Sequence, residues 1–406
     1  MLMNALDRQF LKHGWLMPAL FPLAQVGGRG LFNSLAGIYV LWGLLVLLRH
    51  PPRWSRVSAA AYGLLLVAFL ASVLQAPDRA DSFKNWLVYA LHTLAFPLTL
   101  MALQRVPEAG SRLLAVWGAS GLALVLLLYL LLPLQMAEPG FQPTQHMKED
   151  NLPFLTPLVL LWLASLPRAG LRRVAQVTLF LLVLGYIVFS QGRAALAALG
   201  VMSVVYLMLG MRWRSGRAVM VAGAVVLAGV VLSGQGFFRA LHLGDGGDGW
   251  VTLDRFTSGR TQIWRQAVAH PPESLAFGVG MGQIGYSREA LEVEPGHAVG
   301  HLHNFLMDAW YETGWFGLLS LLGFVGVGIV HGLRAVRFGN ERQRRLAAAL
   351  LAAVAALLVA ALFSFSYASR QLSLYMFVLL GALEYLCLET RLGVARGRGV
   401  ATAGGE

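Results

Sequence analysis

The sequence predicts an all-α polytopic membrane protein with about twelve transmembrane helices and one large loop region outside the membrane. Of the 406 residues, 57% are hydrophobic and only 13% are charged, and the mean hydropathy is +0.62, which excludes an ordinary soluble domain. Apolar runs such as 31–48, 112–134 and 216–234 reach the roughly 20 residues that a helix needs to cross a membrane. The runs are apolar on every face, unlike the alternating strands of a membrane barrel.

Twelve spans can be placed along the chain, centred near residues 20, 39, 66, 94, 123, 159, 181, 201, 225, 316, 356 and 379. The first is short and contains Pro18 and Pro22, so it is either a kinked span or a re-entrant segment. These placements divide the chain into nine helices over 1–233, a loop region over 234–300, three helices over 301–390 and a tail over 391–406.

The distribution of positive charge predicts the orientation of the spans. Most of the 32 Lys and Arg residues fall in one alternating set of loops, which includes both termini and the arginine-rich loop at 331–345. Loops with this excess face the cytoplasm. Both termini are therefore predicted to be cytoplasmic, and the loop region over 234–300 is predicted to face outward.

The outward loop region contains many glycines and cannot form one uninterrupted helix. An amphipathic helix is predicted over 258–269, because it follows Thr257 and Ser258 and ends before Pro271. The run at 244–249 alternates Gly and Asp and is predicted to be a connector. The alternative, a calcium loop, lacks the ligand spacing of an EF-hand.

Several kinds of site are excluded or disfavoured by residue type. Cys387 is the only cysteine, which excludes an intrachain disulfide. The net charge of +12 is explained by the positive loops, and no soluble basic domain is present, so nucleic acid is not a predicted partner. Zinc binding through His297, His301 and His303 is an alternative with awkward spacing for a helix. No cofactor and no metal are predicted.

Cationic and titratable residues gather between 190 and 312, and such groups beside a membrane mark a place where a polar substrate is handled. Arg193 follows a polar turn, and Arg260 and Arg265 lie on the predicted amphipathic helix. Arginine forks suit phosphate oxygens, and several of them can clamp a diphosphate. Snorkelling of Arg193 and salt bridges of the other two arginines to nearby carboxylates are the alternatives.

Two histidines precede the tenth span. Imidazole is well suited to remove a proton from a sugar hydroxyl, so His303 is the candidate base and His301 the alternate. A hydrogen bond at the start of the helix is the structural alternative for either. Asp308 and Glu312 share a helix face and can orient a histidine or pair with an arginine. The glycine-rich stretch at 277–282 follows the amphipathic helix and is predicted to be a flexible turn, because it lacks the context of a nucleotide loop.

In this order the motifs resemble the O-antigen ligase and polymerase superfamily. The resemblance covers roughly residues 150–385, and its anchors are SQGR at 190–193, SGR with WR at 258–265, FGVGMG at 277–282 and HLHN with ETGWFG at 301–317.

The resemblance implies a membrane-embedded, metal-independent inverting glycosyltransferase of the bacterial inner membrane, with its active site on the periplasmic face. It implies that the donor is O-antigen on undecaprenyl pyrophosphate and that the acceptor is lipid A core. Arg193, Arg260 and Arg265 would bind the pyrophosphate and His303 or His301 would act as base. Arg288, Asp308, Glu312 and Arg370 are secondary candidates.

A ligase is favoured over two near alternatives, an O-antigen polymerase and a protein O-oligosaccharyltransferase that uses the same donor. A transporter, in which Arg193, Arg265 and Arg370 would line an anion path, is the alternative of a different class. The clustering of charged groups at one outer face argues against transport, although His92 lies within a span.

Overall fold

The protein is described from a computed structural model, which describes residues 2–26, 28–106, 109–137, 149–190, 192–210, 220, 223, 260–287 and 300–403. These residues form helices and connecting turns, and no strand occurs among them. The predicted all-α polytopic membrane fold is confirmed. The predicted ninth span near residue 225 and the Gly-Asp run at 244–249 lie outside the described residues.

The first half of the described chain contains eleven α-helices and a 3₁₀ turn at Glu149–Asn151. The helices are α1 (Leu2–His13), α2 (Leu16–Ala19), α3 (Phe21–Val26), α4 (Gly28–Leu47), α5 (Arg56–Val73), α6 (Arg79–Thr93), α7 (Ala95–Arg105), α8 (Ala109–Ala137), α9 (Leu152–Leu163), α10 (Ala169–Phe189) and α11 (Arg193–Leu209). The rest contains a 3₁₀ turn at Ile284–Ser287 and the helices α12 (Arg260–Ala269), α13 (Phe305–Phe338), α14 (Glu341–Ser364) and α15 (Arg370–Ala403).

Eight stretches of the described residues are long and apolar enough to cross a membrane, and they coincide with the spans predicted near residues 39, 66, 94, 123, 181, 316, 356 and 379. The shorter apolar helices α9 and α11 lie where spans near 159 and 201 are predicted. The predicted first span is divided into α2 and α3, which meet at Leu20. The predicted amphipathic helix is α12, described from Arg260 to Ala269.

The C-terminal helices form the centre of the bundle. In α15, 89% of the membrane-spanning window is buried, against 28% in α10, so α10 lies at the lipid-facing periphery. The last helix packs on α7, α13 and α14, while α14 packs on α9 and α11. Alanines on α14, such as Ala347, Ala352 and Ala356, are completely buried. These small side chains let the neighbouring helices approach closely.

A buried polar group joins three helices near the arginine-rich end of the bundle. Glu384 of α15 accepts hydrogen bonds from the backbone N–H of Ser55 and from the Ser58 hydroxyl, each at 2.8 Å, and it contacts Nδ1 of His331 on α13. Its carboxylate is 1% exposed. A buried carboxylate requires such partners, because burial without them is costly. Sequence reasoning did not identify this group.

Helix α13 is interrupted at Gly314, whose φ of 65° and ψ of −171° are not helical. The interruption removes two helical hydrogen bonds, from Trp315 N–H to the Tyr311 carbonyl and from Phe316 N–H to the Glu312 carbonyl. Residues 275–280, here called the plug segment, lie against the gap and satisfy all four groups. The replacement bonds are Val279 N–H to Tyr311 O (3.0 Å), Gly280 N–H to Glu312 O (2.9 Å), Trp315 N–H to Leu275 O (2.9 Å) and Phe316 N–H to Ala276 O (3.1 Å).

The glycines of the plug segment and of the interruption are required for this contact. A Cβ at Gly314 would lie 2.2 Å from the carbonyl of Ala276, and one at Gly278, where φ is 71°, would lie 2.4 Å from the carbonyl carbon of Glu312. Because both neighbours are backbone, neither can move aside easily. The glycine-rich stretch folds back onto α13 and is held there by backbone hydrogen bonds, so it is not a free turn.

Gly314→Ala is expected to destabilise the protein by about 3 kcal/mol or more. A positive φ alone costs a residue with a Cβ about 1–3 kcal/mol, and the clash with backbone adds to that cost. The matched control is Gly323→Ala on the same helix, where an added Cβ meets no atom within 4 Å. The control should be neutral or stabilising by up to about 1 kcal/mol. Thermal unfolding of the purified protein in detergent measures both. Equal midpoints for the two variants would contradict the assigned role of Gly314.

Candidate functional site

Two predicted arginines lie within electrostatic range of each other, and one of them binds the C-terminal end of α14. Arg193 is the first residue of α11, after Gly192, and Arg260 is the first residue of α12. The guanidinium of Arg260 donates a hydrogen bond through Nη1 to the carbonyl of Phe363. This carbonyl belongs to the last turn of α14, where helix carbonyls lack partners within the helix. A cation here is also favoured by the partial negative charge of the helix terminus.

A buried carboxylate completes this arginine cluster. Asp150 is 4% exposed and lies in the 3₁₀ turn that packs on α11 and α14. Burial lowers the pKa of the Arg260 guanidinium, Asp150 raises it, and Arg193 lowers it. The structure thus brings Arg193, Arg260 and Asp150 within electrostatic range. Cationic groups held close together are the kind of arrangement that an anion stabilises.

Arg265 occupies a different part of α12. Its side chain is exposed, whereas Arg260 is half-buried. The difference follows from helix geometry, because five residues turn the helix by about 140° from one face to another. The structure therefore does not bury Arg265 with Arg193 and Arg260.

The predicted histidines flank one completely buried residue, Leu302. The N–H of Leu302 donates to Oδ1 of Asp308 at 2.6 Å, and its carbonyl accepts from Nε1 of Trp264 at 2.9 Å. Its side chain packs in a small apolar cluster with Ala267, Ile284 and Tyr311. Leu302 is therefore fixed through both backbone groups and through its side chain.

This fixed residue determines where the histidines lie. The rings of His301 and His303 are 3.9 Å apart between centroids and meet edge to face. His301 is exposed and His303 is partly exposed, and the φ of 54° at His303 is left-handed. Asn304 follows as the N-cap of α13, and its side chain accepts from the N–H groups of Leu306 (3.0 Å) and Met307 (3.2 Å). The histidines thus precede a capped helix, on a short segment of defined backbone.

Trp264 connects the histidine segment with the arginine cluster. Its indole N–H binds the carbonyl of Leu302, and its ring centroid lies 6.4 Å from that of Phe363. Phe363 is also the residue whose carbonyl binds Arg260. One helix, α12, therefore contacts both the end of α14 and the segment that carries the histidines.

The two predicted carboxylates of α13 support the backbone of the site. Asp308 is completely buried and binds Leu302, so it acts on the segment between the histidines. Glu312 is 6% exposed and accepts a hydrogen bond of 2.5 Å from the Tyr367 hydroxyl. In the part of the chain that the structure describes, neither carboxylate forms an ion pair with an arginine.

One secondary candidate, Arg370, lies elsewhere. Arg370 is the first residue of α15 and lines a cleft with α4 and α6. Arg288 and the third histidine, His297, lie outside the described residues. Among the residues that are described, no group of three His, Cys, Asp or Glu side chains could hold a metal ion. Metal independence stays a prediction.

Sequence reasoning missed three residues of this region. Asp150, Trp264 and Tyr367 each contact or influence a predicted site residue, but none was assigned a role. An acidic residue directly before an apolar run, as Asp150 is, gives a usable signal, because its burial requires a cationic partner. The partners of Trp264 and Tyr367 are distant in sequence and could not be read from spacing.

Trp264→Phe is expected to destabilise the protein by about 1–3 kcal/mol, because the buried carbonyl of Leu302 loses its partner while an aromatic ring remains. The loosened segment should also react faster with diethylpyrocarbonate at His301 and His303, which peptide mass spectrometry can measure. The matched control is Trp117→Phe, since the indole N–H of Trp117 is buried and has no hydrogen-bond partner among the described residues. Unchanged histidine reactivity in Trp264→Phe would show that the indole does not fix the segment.

The family model of O-antigen ligases matches residues 178–322. The matched range extends from α10 into α13 and includes Arg193, Arg260, His301 and His303. A search of curated proteins returns no match to this chain.

Proposed function

We propose that the chain is an O-antigen ligase, because the O-antigen ligase family model matches residues 178–322 and the chain is consistent with a member of the O-antigen ligase and polymerase superfamily. In this proposal it transfers O-antigen polysaccharide from undecaprenyl pyrophosphate to a sugar hydroxyl of lipid A core. The family match supports a multi-pass membrane protein of the ligase or polymerase type, whose family acts on lipid-linked polysaccharide. The donor, the acceptor and the mechanism are the proposal.

One observation carries the proposal: α12 holds Arg260 within electrostatic range of Arg193 and also binds, through Trp264, the segment that carries the histidines. A diphosphate leaving group gains negative charge as the bond to the sugar breaks. Fixed guanidinium groups stabilise this charge without reorganising, which is often the largest catalytic contribution. The hydrogen bond to the Phe363 carbonyl holds the guanidinium of Arg260, and Asp150 attracts its charge. The exposed Arg265 is assigned to the outer part of the same diphosphate site.

The proposed reaction is a single displacement. The imidazole of His303 accepts the proton of the acceptor hydroxyl, and the hydroxyl oxygen attacks the anomeric carbon. The bond from that carbon to the diphosphate oxygen breaks on the opposite face, and the diphosphate leaves with the bonding electron pair. Attack from the opposite face inverts the anomeric centre, and no covalent intermediate is needed. Glycosyl transfer of this kind requires proton removal and charge stabilisation, which the histidine and arginines supply.

His303 is assigned as the base because it lies next to the N-cap of α13, whereas His301 is the more exposed of the two. The edge of one ring faces the other at 3.9 Å, so His301 is placed to steady or replace His303. Asp308 and Trp264 act through Leu302 and are positioning residues.

The proposed orientation follows from the two ends of α14. One end, at Glu341, lies beside Arg342, Arg344 and Arg345, and the other, at Ser364, lies beside the arginine cluster. The 24 residues between them span about 36 Å of helix, which is enough to cross the membrane. Arginine-rich loops face the cytoplasm, so the site is proposed to be periplasmic, in the inner membrane, with both termini cytoplasmic.

A gene deletion tests the assignment among related activities. If the chain is a ligase, deletion should give lipopolysaccharide with bare core, while polymerised O-antigen accumulates on its lipid carrier. Core carrying a single repeat would instead show a polymerase. An unchanged lipopolysaccharide ladder would exclude both and leave the protein-glycosylating or transport alternatives.

His303→Ala is expected to lower turnover by about 10²–10⁴-fold in purified enzyme with lipid-linked glycan and core acceptor, because the base is removed. His301→Ala should lose less. His270→Ala is the control, since that histidine is exposed and its hydrogen bonds within the described residues are made by its backbone, from its N–H to the Gln266 carbonyl and from the Tyr311 hydroxyl to its carbonyl. Full activity in His303→Ala would refute the assignment, and a larger loss in His301→Ala would exchange the two roles.

Arg260→Lys is expected to lower kcat by about 10²–10³-fold, because an ammonium group cannot reproduce a bidentate contact to the diphosphate. Arg193→Lys should have a similar effect without loss of the bond to Phe363, so it separates catalysis from stability. Arg265→Lys should lose less, because its exposed guanidinium is already in contact with water. Arg168→Lys, in an exposed loop away from the cluster, is the control. Wild-type kcat in both Arg193→Lys and Arg260→Lys would remove the proposed clamp.

A further inference from the structure

A second cationic position lies away from the arginine cluster, in a cleft between α4, α6 and α15. The cleft has a volume of about 210 Å³. Its walls are mainly apolar, and three polar side chains reach it, those of Arg370, His92 and Asn33. Arg370 begins α15, six residues after α14 ends in Ser364 beside the arginine cluster, so the cleft lies on the same side of the bundle.

The guanidinium of Arg370 lacks a protein counter-ion within the described part of the chain. None of the ion pairs formed there includes Arg370. Its backbone carbonyl accepts a hydrogen bond from the Ser373 hydroxyl, which leaves the guanidinium uninvolved. The charge of Arg370 acts on the nearby side chain of His92. Nδ1 of His92 lies 3.5 Å from the hydroxyl oxygen of Ser373. Arg370 is exposed at the start of α15, so its guanidinium is accessible to an anion, and ionisable residues of transmembrane helices often mark binding sites.

The cleft opens onto the surface that faces lipid. Leu41, which lines it, is 60% exposed, and the neighbouring Ile38 is 53% exposed. Helix α4 packs mainly on α1, α2, α3 and α7, which leaves the space between it and α6 open. The volume is below the roughly 300–1,000 Å³ of a site that encloses a whole small molecule. It suits a head group and the first carbons of a chain, while the remainder of the chain stays in the bilayer.

We propose that this cleft binds the phosphate of a membrane lipid, with Arg370 as the phosphate ligand and the walls of α4 and α6 holding the start of the lipid chain. The planar fork of arginine matches phosphate oxygens, and basic pockets between transmembrane helices bind anionic lipid heads in this way. Two sources supply this chemistry, a bilayer phospholipid and an isoprenoid carrier lipid. The site does not depend on the identity of the transferred glycan.

Two variants test the site from different directions. Arg370→Gln removes the charge and keeps much of the volume. Gly37→Leu keeps Arg370 and fills the cleft, and it should be tolerated because a Cβ at Gly37 meets no atom within 4 Å. The matched controls are Arg79→Gln, an exposed arginine at the start of α6, and Gly63→Leu, another helix glycine with open space around it.

Native mass spectrometry of the full-length protein in detergent gives the readout, with phosphatidylglycerol, undecaprenyl phosphate and uncharged diacylglycerol as separate probes. Occupancy by at least one phosphate lipid should fall about tenfold or more in Arg370→Gln and in Gly37→Leu, and should not fall in either control. Diacylglycerol binding should be unaffected by Arg370→Gln.

The pattern of loss identifies the source. Loss confined to phosphatidylglycerol supports a bilayer phospholipid, loss confined to undecaprenyl phosphate supports the carrier lipid, and loss of both supports a site that recognises the phosphate alone. Unchanged occupancy in both variants would overturn the proposal. So would a loss in only one of them, since the phosphate would then bind outside the cleft or the cleft would bind lipid without Arg370. Because bound lipid is measured instead of product, failure of the proposed ligase activity would leave this result readable.

Discussion

Backbone N–H and C=O groups inside a membrane have no water to bind, and this constraint shapes the region around the candidate site. The interruption of α13 at Gly314 frees two N–H and two C=O groups, and the plug segment pairs with all four. The plug segment leads into the loop whose residue Ile284 packs against Leu302. The interruption therefore has a structural consequence: it fixes a loop from outside the helix next to the segment that carries the histidines.

The same requirement places charge at the ends of helices. The carbonyl of Phe363, near the C-terminus of α14, is satisfied by Arg260, and the N–H of Leu302, before the N-terminus of α13, is satisfied by Asp308. In each case a charged side chain is kept in a buried place because it supplies a hydrogen bond that the backbone lacks. Arg260 then lies within electrostatic range of both Arg193 and Asp150. In the proposed function, the diphosphate site is therefore built partly from groups that also satisfy the backbone.

The membrane helices could be predicted from the sequence because continuous apolar runs and positive loops record burial and orientation directly. Helix α12 could also be predicted, since a polar start before Arg260 and Pro271 after its end are local signals. The different environments of the side chains along α12 could not be predicted. Which of Arg260 and Arg265 is buried depends on contact with α14, and the role of Trp264 depends on a carbonyl 38 residues away. Likewise the contact between the glycine-rich stretch and the interruption of α13 could not be predicted, because the two segments are distant in sequence. The predictions that remain untested concern roles of side chains, which depend on such long-range contacts.

The position of the histidines has a consequence for how donor and acceptor could be coordinated. His301 and His303 are not carried by a helix; they flank a residue that is held at one side by Asp308 of α13 and at the other by Trp264 of α12. Helix α12 also begins with Arg260. Any displacement of α12 that accompanies diphosphate binding at Arg260 must therefore act on the carbonyl of Leu302 as well. In the proposed reaction, the group that binds the leaving diphosphate and the group that activates the acceptor are mechanically joined by a helix of 10 residues. Because one short helix makes both contacts, the fold itself sets the placement of Arg260 relative to Leu302, between the two histidines.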